Sequence, residues 1–250
     1  MKGYAEDLAH VHASGFAALA ETASPVVVEL LRRAGIEGGL VVDLGCGSGI
    51  TSRALTDAGF EVLGIDSSRP LLARARREAP EARFRHGSFL DERPPECGAV
   101  LAVGEVLNYT ERSLGPVFGR VYRALRPGGL FVFDLAGPGR IRGDDPVRNW
   151  AQGPDWAVLS KTEEDARTRL LTRRITTFRR ADRGWRRRRE THRQRLHPPS
   201  EVAARLRQTG FRVRVRRGYA GERFAPGHYV VVARKPSSAR SRPRRGTGAD

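Results

Sequence analysis

The stretch VVDLGCGSG, residues 41–49, sets Gly45, Gly47 and Gly49 directly after an apolar run and before a segment with helical patterning. Glycines at such a junction let the backbone turn tightly and come close to a ligand. Asp66 ends the next apolar run, 21 residues after Gly45, where a carboxylate can accept hydrogen bonds from both ribose hydroxyls. Together they specify a nucleoside-containing ligand at the carboxyl edge of a sheet. The spacing is G-x-G-x-G, not the G-x-G-x-x-G that seats a pyrophosphate, and Asp43 lies two residues before the first glycine, where a pyrophosphate would be repelled. A carboxylate there suits a ligand with a cationic ammonium group.

A second constellation lies in WRRRRETHRQRLH, residues 185–197, which holds six arginines around Glu190 and His192. In an extended strand, alternate residues share a face. Arg186, Arg188, Glu190, His192, Gln194 and Leu196 then lie on one side, and Arg187, Arg189, Thr191, Arg193, Arg195 and His197 on the other. Histidine titrates near neutrality and can move a proton, and Glu190 is spaced to polarise it or to bind a cationic acceptor. The same strip could instead grip an anion.

The elements that must position these residues alternate. Apolar runs at 40–45, 61–66, 82–89, 98–106 and 126–136 read as strands, with helical stretches at 48–58, 69–79 and 111–125 between them. Such runs, separated by helices, indicate a mostly parallel sheet covered on both faces. Residues 16–34 read as an amphipathic helix that Pro25 divides in two. After 136 the rhythm changes: 137–155 reads as a Gly/Pro-rich loop, and 156–180 and 184–197 as two strands joined at ADRG. A helix over 199–210 and strands at 211–217 and 228–235 close the sheet.

The organisation expected is a helical lid (1–35), a core (36–136), a β-hairpin insertion (137–198), closing elements (199–235) and a disordered tail (236–250). The fold class is α/β: a Rossmann-like, seven-stranded, mostly parallel sheet with helices on both faces, plus an antiparallel β insertion over the substrate site.

Charge is divided unevenly. Residues 1–166 carry 19 Lys+Arg against 23 Asp+Glu, whereas 167–250 carry 26 against 5, within a net charge of +17. An anionic partner would therefore meet the C-terminal third. Like charges facing each other across strands are destabilising, so the arginine hairpin should favour an anionic substrate, RNA, or the acidic half of another subunit. Inside it only Phe178 and Trp185 could stack on bases, which puts nucleic acid second. No run of about 18 apolar residues exists, so no membrane span is expected. Glu6, Asp7 and two histidines stand where a secretion signal needs an unbroken apolar stretch, which leads us to expect a soluble, cytoplasmic protein. Cys46 and Cys97 form no metal-ligand spacing, and no metal is expected.

The glycine loop, Asp43 and Asp66, with LRPGGLFVFD (125–134) as a turn into the fifth strand, resemble the class I S-adenosylmethionine-dependent methyltransferases. The likeness is strong over 36–136 and looser as far as 235. It implies that S-adenosylmethionine is the cofactor, that Gly45 and Gly47 approach its methionine moiety and that Asp43 orients its amino group. Asp66 would take the ribose, and Ser67, Ser88 and Phe89 would flank the adenine, although the family often has an acidic residue where this chain has Ser88. The N-terminal YAEDLAHVHASGF resembles the lid of small-molecule members, in which a tyrosine, here Tyr4, closes over the cofactor.

Glu190-x-His192 resembles a strand of small-molecule methyltransferases, sugar-amine N-methylating members among them, in which an antiparallel insertion roofs the acceptor. His192, Glu190 and Glu105 are then the catalytic candidates, and Asn108 and Tyr109 the acceptor contacts beyond the fourth strand. The Asn/Asp/Ser-Pro-Pro-aromatic run of base-amine methylators is missing, and neither cysteine is placed as the thiolate that pyrimidine C5 methylation needs. The expected function is methyl transfer to an N or O nucleophile of a small-molecule acceptor. RNA methylation and an inactive, cofactor-binding partner protein are the alternatives.

Overall fold

The computed structural model describes residues 4–141, 145–219 and 225–237. The tail expected to be disordered falls, from 238 onward, outside the described residues. In chain order come α1 (Glu6–Gly15), α2 (Ala18–Arg33), β1 (Leu40–Leu44), α3 (Ile50–Asp57), β2 (Glu61–Asp66), α4 (Arg69–Glu78), β3 (Arg83–His86) and β4 (Cys97–Ala102). There follow α5 (Gly115–Ala124), β5 (Leu125–Ala136), β6 (Val147–Gln152), β7 (Trp156–Asp165), β8 (Leu170–Ala181), β9 (Gly184–Arg195), α6 (Pro199–Thr209), β10 (Arg212–Arg216) and β11 (His228–Arg234).

Seven strands form one sheet in the order β10-β11-β5-β4-β1-β2-β3, in which β11 runs antiparallel to both its neighbours. Its interior strands are buried on both faces, as in β5, where Leu130 to Ala136 are all buried. One apolar layer joins α5 and α6 to the sheet through Phe118, Phe131, Phe133 and Leu206; the other joins α2 and α3 through Val27, Leu31 and Leu55. This sandwich fixes the carboxyl ends of β1, β2 and β4 side by side, the edge at which open α/β sheets bind ligands. No single helix among the described residues is long and apolar enough to cross a membrane.

Three details depart from the sequence reading. Pro25 does not break the second helix: α2 runs through it because Val27 and Leu31 beyond it are fully buried. The break falls at residues 16–17, before α2, and α2 belongs to the core, so only α1 and Tyr4 remain to act as a lid. Residues 156–180 are two strands, not one. Their turn carries no glycine or proline; the Asp165 carboxylate makes it by accepting the Arg167 and Thr168 N–H groups at 2.9 and 3.0 Å. Finally, β6 lies inside the stretch read as loop, so the insertion is a four-stranded antiparallel sheet, β6-β7-β8-β9.

The inner face of that insertion packs on α1 through Leu8, Val11, Trp156, Val158 and Ile175. Beside this small core, Asp7 is almost fully buried and is gripped by Arg186, with its second oxygen also accepting from Arg186 Nε at 2.9 Å; Arg188 and Arg179 stand 3.6 and 3.8 Å away. His10 completes the junction, with Asp155 at 2.9 Å and Arg74 at 2.8 Å. Two of the strip's six arginines, Arg186 and Arg188, therefore have a structural use, which is to hold the lid.

Arg186 keeps the Asp7 carboxyl below its ordinary value of 3.8. A depressed folded pKa stabilises the protein above the unfolded pKa, and that contribution is lost as pH falls through the folded value. Asp7→Asn is expected to cost about 1–2 kcal/mol in urea denaturation at pH 7, discounted for the part-exposed arginines. The difference from wild type should shrink as pH falls below the ordinary carboxylate value and through the depressed folded one, and the variant's N-terminal segment should be clipped faster by protease at neutral pH.

Candidate active site

At the carboxyl edge of β1, the chain passes through Gly45 and Gly47, with φ of +69° and +56°, before α3 begins. A side chain on Gly45 would also meet Val106 at 2.5 Å, so the loop can lie this close only because glycine is there. Asp66 ties the loop to the next strand: one carboxylate oxygen accepts the Gly47 N–H at 3.0 Å and the other the Ser68 N–H at 2.7 Å. Asp43 is buried behind the loop, where it accepts the Ser52 hydroxyl at 2.8 Å and has no cationic partner among the described residues. Burial, with Asp66 nearby, pushes its pKa up to about 6 against the Ser52 hydrogen bond.

One cavity runs along this edge. Asp43, Gly45, Gly47, Asp66, Ser67, Ser88 and Phe89 all line it, and so do Tyr4, Tyr109 and His192. The donor set fits the cofactor that the resemblance implies: a glycine cradle, a carboxylate at the end of β2, and a buried carboxylate lacking a cation. S-adenosylmethionine supplies, when bound, a methyl group already activated on sulfur.

Above the cradle the walls are aromatic. The Tyr4 and Tyr109 hydroxyls lie 2.9 Å apart, and both rings meet His192 edge-on at centroid separations of 5.0 and 5.8 Å. Burial raises the pKa of both tyrosines, so they stay protonated. His192 is buried, and its Nε2 lies 3.3 Å from Glu190, whose same oxygen accepts the Ala5 N–H at 3.3 Å. Glu190 thus links the candidate base to the start of the lid, and Ser68 fixes the lid from below by donating to the Tyr4 carbonyl at 2.7 Å.

Two expected site residues take other roles. Asn108 spends both amide protons on the Ala136 and Arg195 carbonyls and accepts the Ala136 N–H; it is a buried staple between β5 and β9, not an acceptor contact. Glu105 is ion-paired with Arg140 at 2.5 Å, so its carboxylate is neutralised and unavailable as a general base. Its backbone is left-handed, with φ of 57°, held there because Asp134 accepts the Gly104 and Glu105 N–H groups at 2.8 and 2.9 Å. Asp134 was visible in LFVFD only as the end of an apolar strand.

Sequence reasoning also missed His12, which lines the cavity beside Phe16. Burial, with Arg173 nearby, lowers its pKa to about 4, so its ring is neutral. Cys46 and Cys97 are buried thiols whose pKa values burial raises, consistent with neither being a nucleophile.

Since Asp43 must be ionised to hold an ammonium group, the affinity for S-adenosylhomocysteine should fall about tenfold per pH unit below about 6. Titration calorimetry across pH 5–8 should show that bend in the wild type and a weak, pH-independent affinity in Asp43→Asn. Asp66→Ala should abolish measurable binding.

Residues 41–129 match the model of a methyltransferase domain. A putative methyltransferase of Bacillus subtilis (strain 168) is 28% identical over 188 residues, covering 71% of this chain and 75% of that protein. A trans-aconitate 2-methyltransferase of Acidovorax sp. (strain JS42) is 28% identical over 138 residues, which span 53% of this chain and about half (52%) of that relative. Among solved structures, an S-adenosylmethionine-dependent methyltransferase from Clostridium acetobutylicum ATCC 824 superposes with a TM-score of 0.80 at 16% identity, over 92% of this chain and 98% of that one. With the glycine cradle, Asp43 and Asp66 assembled on a sheet of this topology, the chain has the class I S-adenosylmethionine-dependent methyltransferase fold around a methyltransferase domain at residues 41–129.

Proposed function

We propose that the protein transfers the methyl group to a nitrogen or oxygen nucleophile of a small molecule, with His192 as the general base. The observation that carries this reading is the enclosure of the cavity. Tyr4, His12 and Phe16 of the lid close one side and His192 of the insertion closes another, so the acceptor must fit beneath them.

The chain's own groups suit the task. Tyr4 and Tyr109 exclude water, which sharpens every electrostatic contact inside. With its Nε2 facing Glu190 at 3.3 Å, His192 leaves Nδ1 to take the proton leaving the acceptor. The bound cofactor would supply the methyl group to the acceptor's nucleophile, and His192 would take the acceptor's proton on its imidazole. Glu190 stabilises the imidazolium so produced.

Charge placement favours this over RNA methylation. Arg187, Arg189, Arg193 and Arg195 are exposed on the outer face of β9, on the opposite side of the insertion from His192. A polyanion bound there would be separated from the cavity by the sheet itself.

With methyl-labelled S-adenosylmethionine and an extract of the source cells, label should appear in small molecules and resist nuclease. His192→Ala should lower kcat by about 10²–10⁴-fold while leaving S-adenosylhomocysteine affinity unchanged. Label confined to nuclease-sensitive polymer, or an unchanged rate in the variant, would sink this reading.

A further inference from the structure

On the insertion's inner face, the arginines of β8 and β9 have acidic partners among the described residues, with one exception. Arg179, Arg186 and Arg188 share Asp7. Arg173 has none: its backbone is paired in the ladder, but among the described residues no carboxylate lies within ion-pair distance of its guanidinium and none accepts a hydrogen bond from it. It is half-buried on β8, in register with His192 on β9 and with Thr162 on β7. Directly opposed residues of an antiparallel pair have Cβ atoms about 5 Å apart, and diagonal neighbours stay within reach of long side chains. The diagonals here are Glu190 and Gln194. Arg173 also acts electrostatically on Tyr4, Tyr109 and His12, all of which line the cavity.

Unfilled polar capacity surrounds this guanidinium. Gln194 is 1% exposed and its side-chain oxygen has no donor; the second oxygen of Glu190 and Nδ1 of His12 are likewise buried without partners. Buried polar atoms are paired in the great majority of folded proteins, and a cluster that breaks the rule beside a cavity is one that a ligand completes. The cluster has two poles. Arg173 presents a planar fork of donors with one uncompensated positive charge, which matches a carboxylate in geometry and in charge. A phosphate dianion would be left with a net negative charge beside Glu190. The Glu190, His192 and His12 pole offers only lone pairs to accept from an N–H or O–H group.

Resting on the small-molecule reading above, we propose that Arg173 binds a carboxylate of the methyl acceptor, which is therefore an amino or hydroxy acid whose amine or hydroxyl is presented to His192. The carboxylate is an anchor and is not itself methylated. Trapping it orients the nucleophile toward the cradle, and this is where positioning enters the rate. Arg173 was indistinguishable in the sequence from its many arginine neighbours, because what sets it apart is the lack of a partner in three dimensions.

The experiment pairs two readouts. In the first, labelled products from the extract are passed over an anion exchanger. The proposal expects the label to be retained at about pH 11, where an amine is uncharged and a carboxylate is still ionised, released once carboxylates are protonated, and stable to alkali. Arg173→Met should then lower kcat/KM at least tenfold, chiefly through KM, with Arg173→Lys intermediate and S-adenosylhomocysteine affinity unchanged in both. In the second, acetate and inorganic phosphate are titrated separately into the S-adenosylhomocysteine-loaded protein and followed by NMR line broadening. Acetate should bind to the wild type and not to Arg173→Met.

An unretained product, an alkali-labile methyl ester, a phosphate preference, or equal acetate binding by wild type and variant each overturns the carboxylate anchor while leaving the small-molecule reading intact. Label confined to nuclease-sensitive polymer overturns both. If the extract yields no labelled product at all, the acetate comparison alone decides the anchor.

Discussion

The cavity exists because α1 and the antiparallel insertion close on each other, and one buried carboxylate holds that closure. Asp7 sits under three guanidinium groups from two strands that would otherwise repel one another across the ladder. Removing the acid does more than lose a hydrogen bond, because the arginines would then face each other at strand spacing with nothing between them. The lid therefore repairs the insertion as much as the insertion holds the lid. Packing of Trp156 and Val158 against Leu8 and Val11 supplies the apolar part of the same contact. A side chain on Gly15 would meet the Trp156 ring at 2.5 Å, so the helix ends where the ring needs room.

The core of the site was legible because its determinants are local. A turn that needs positive φ must be written as glycine, and Gly45 and Gly47 stand within five residues of Asp43. Asp66 was legible for the same reason, as the last residue of a strand whose register follows from its apolar run. The insertion was harder to read. Its turn at 166–169 is made by the Asp165 carboxylate, and Arg169 adopts a φ of 54° without being glycine or asparagine, so no composition signal marks the chain reversal. Asn108 and Glu105 were well placed by position and misread by role. What decides the role is whether the polar atoms are already taken, and their takers, Ala136, Arg195 and Arg140, come from distant parts of the chain.

The charge pattern resolves in the same way. A face of alternating arginines cannot be interpreted from the strand alone, because the two faces of β9 meet different surroundings. On the inner face, Arg186 and Arg188 meet an acid and Glu190 meets the lid backbone. On the outer face, Arg187 and Arg189 lie exposed beside Thr176 and Phe178 of β8. The net charge of the C-terminal third thus combines a lid clamp, a solvated surface and, in Arg173, a half-buried cation without an acidic partner among the described residues.

That last cation matters because burial works against charge on much of the cavity wall. Burial holds Tyr4 and Tyr109 as phenols, holds His12 as a neutral ring and raises Asp43 toward neutrality. Each shift has the same origin, since taking a group out of water disfavours its ionised form. A site so treated has low local dielectric, and within it a single fixed charge acts over a longer range than it would at the surface. Arg173, half-buried behind this wall, is a fixed cation whose field reaches both tyrosines and His12. Leaving such a charge unpaired costs free energy in the empty protein, and an anion that enters beside it recovers that cost as binding. Specificity then follows without further contacts: a neutral analogue of the same shape would fill the space and leave the guanidinium as exposed to the apolar wall as before.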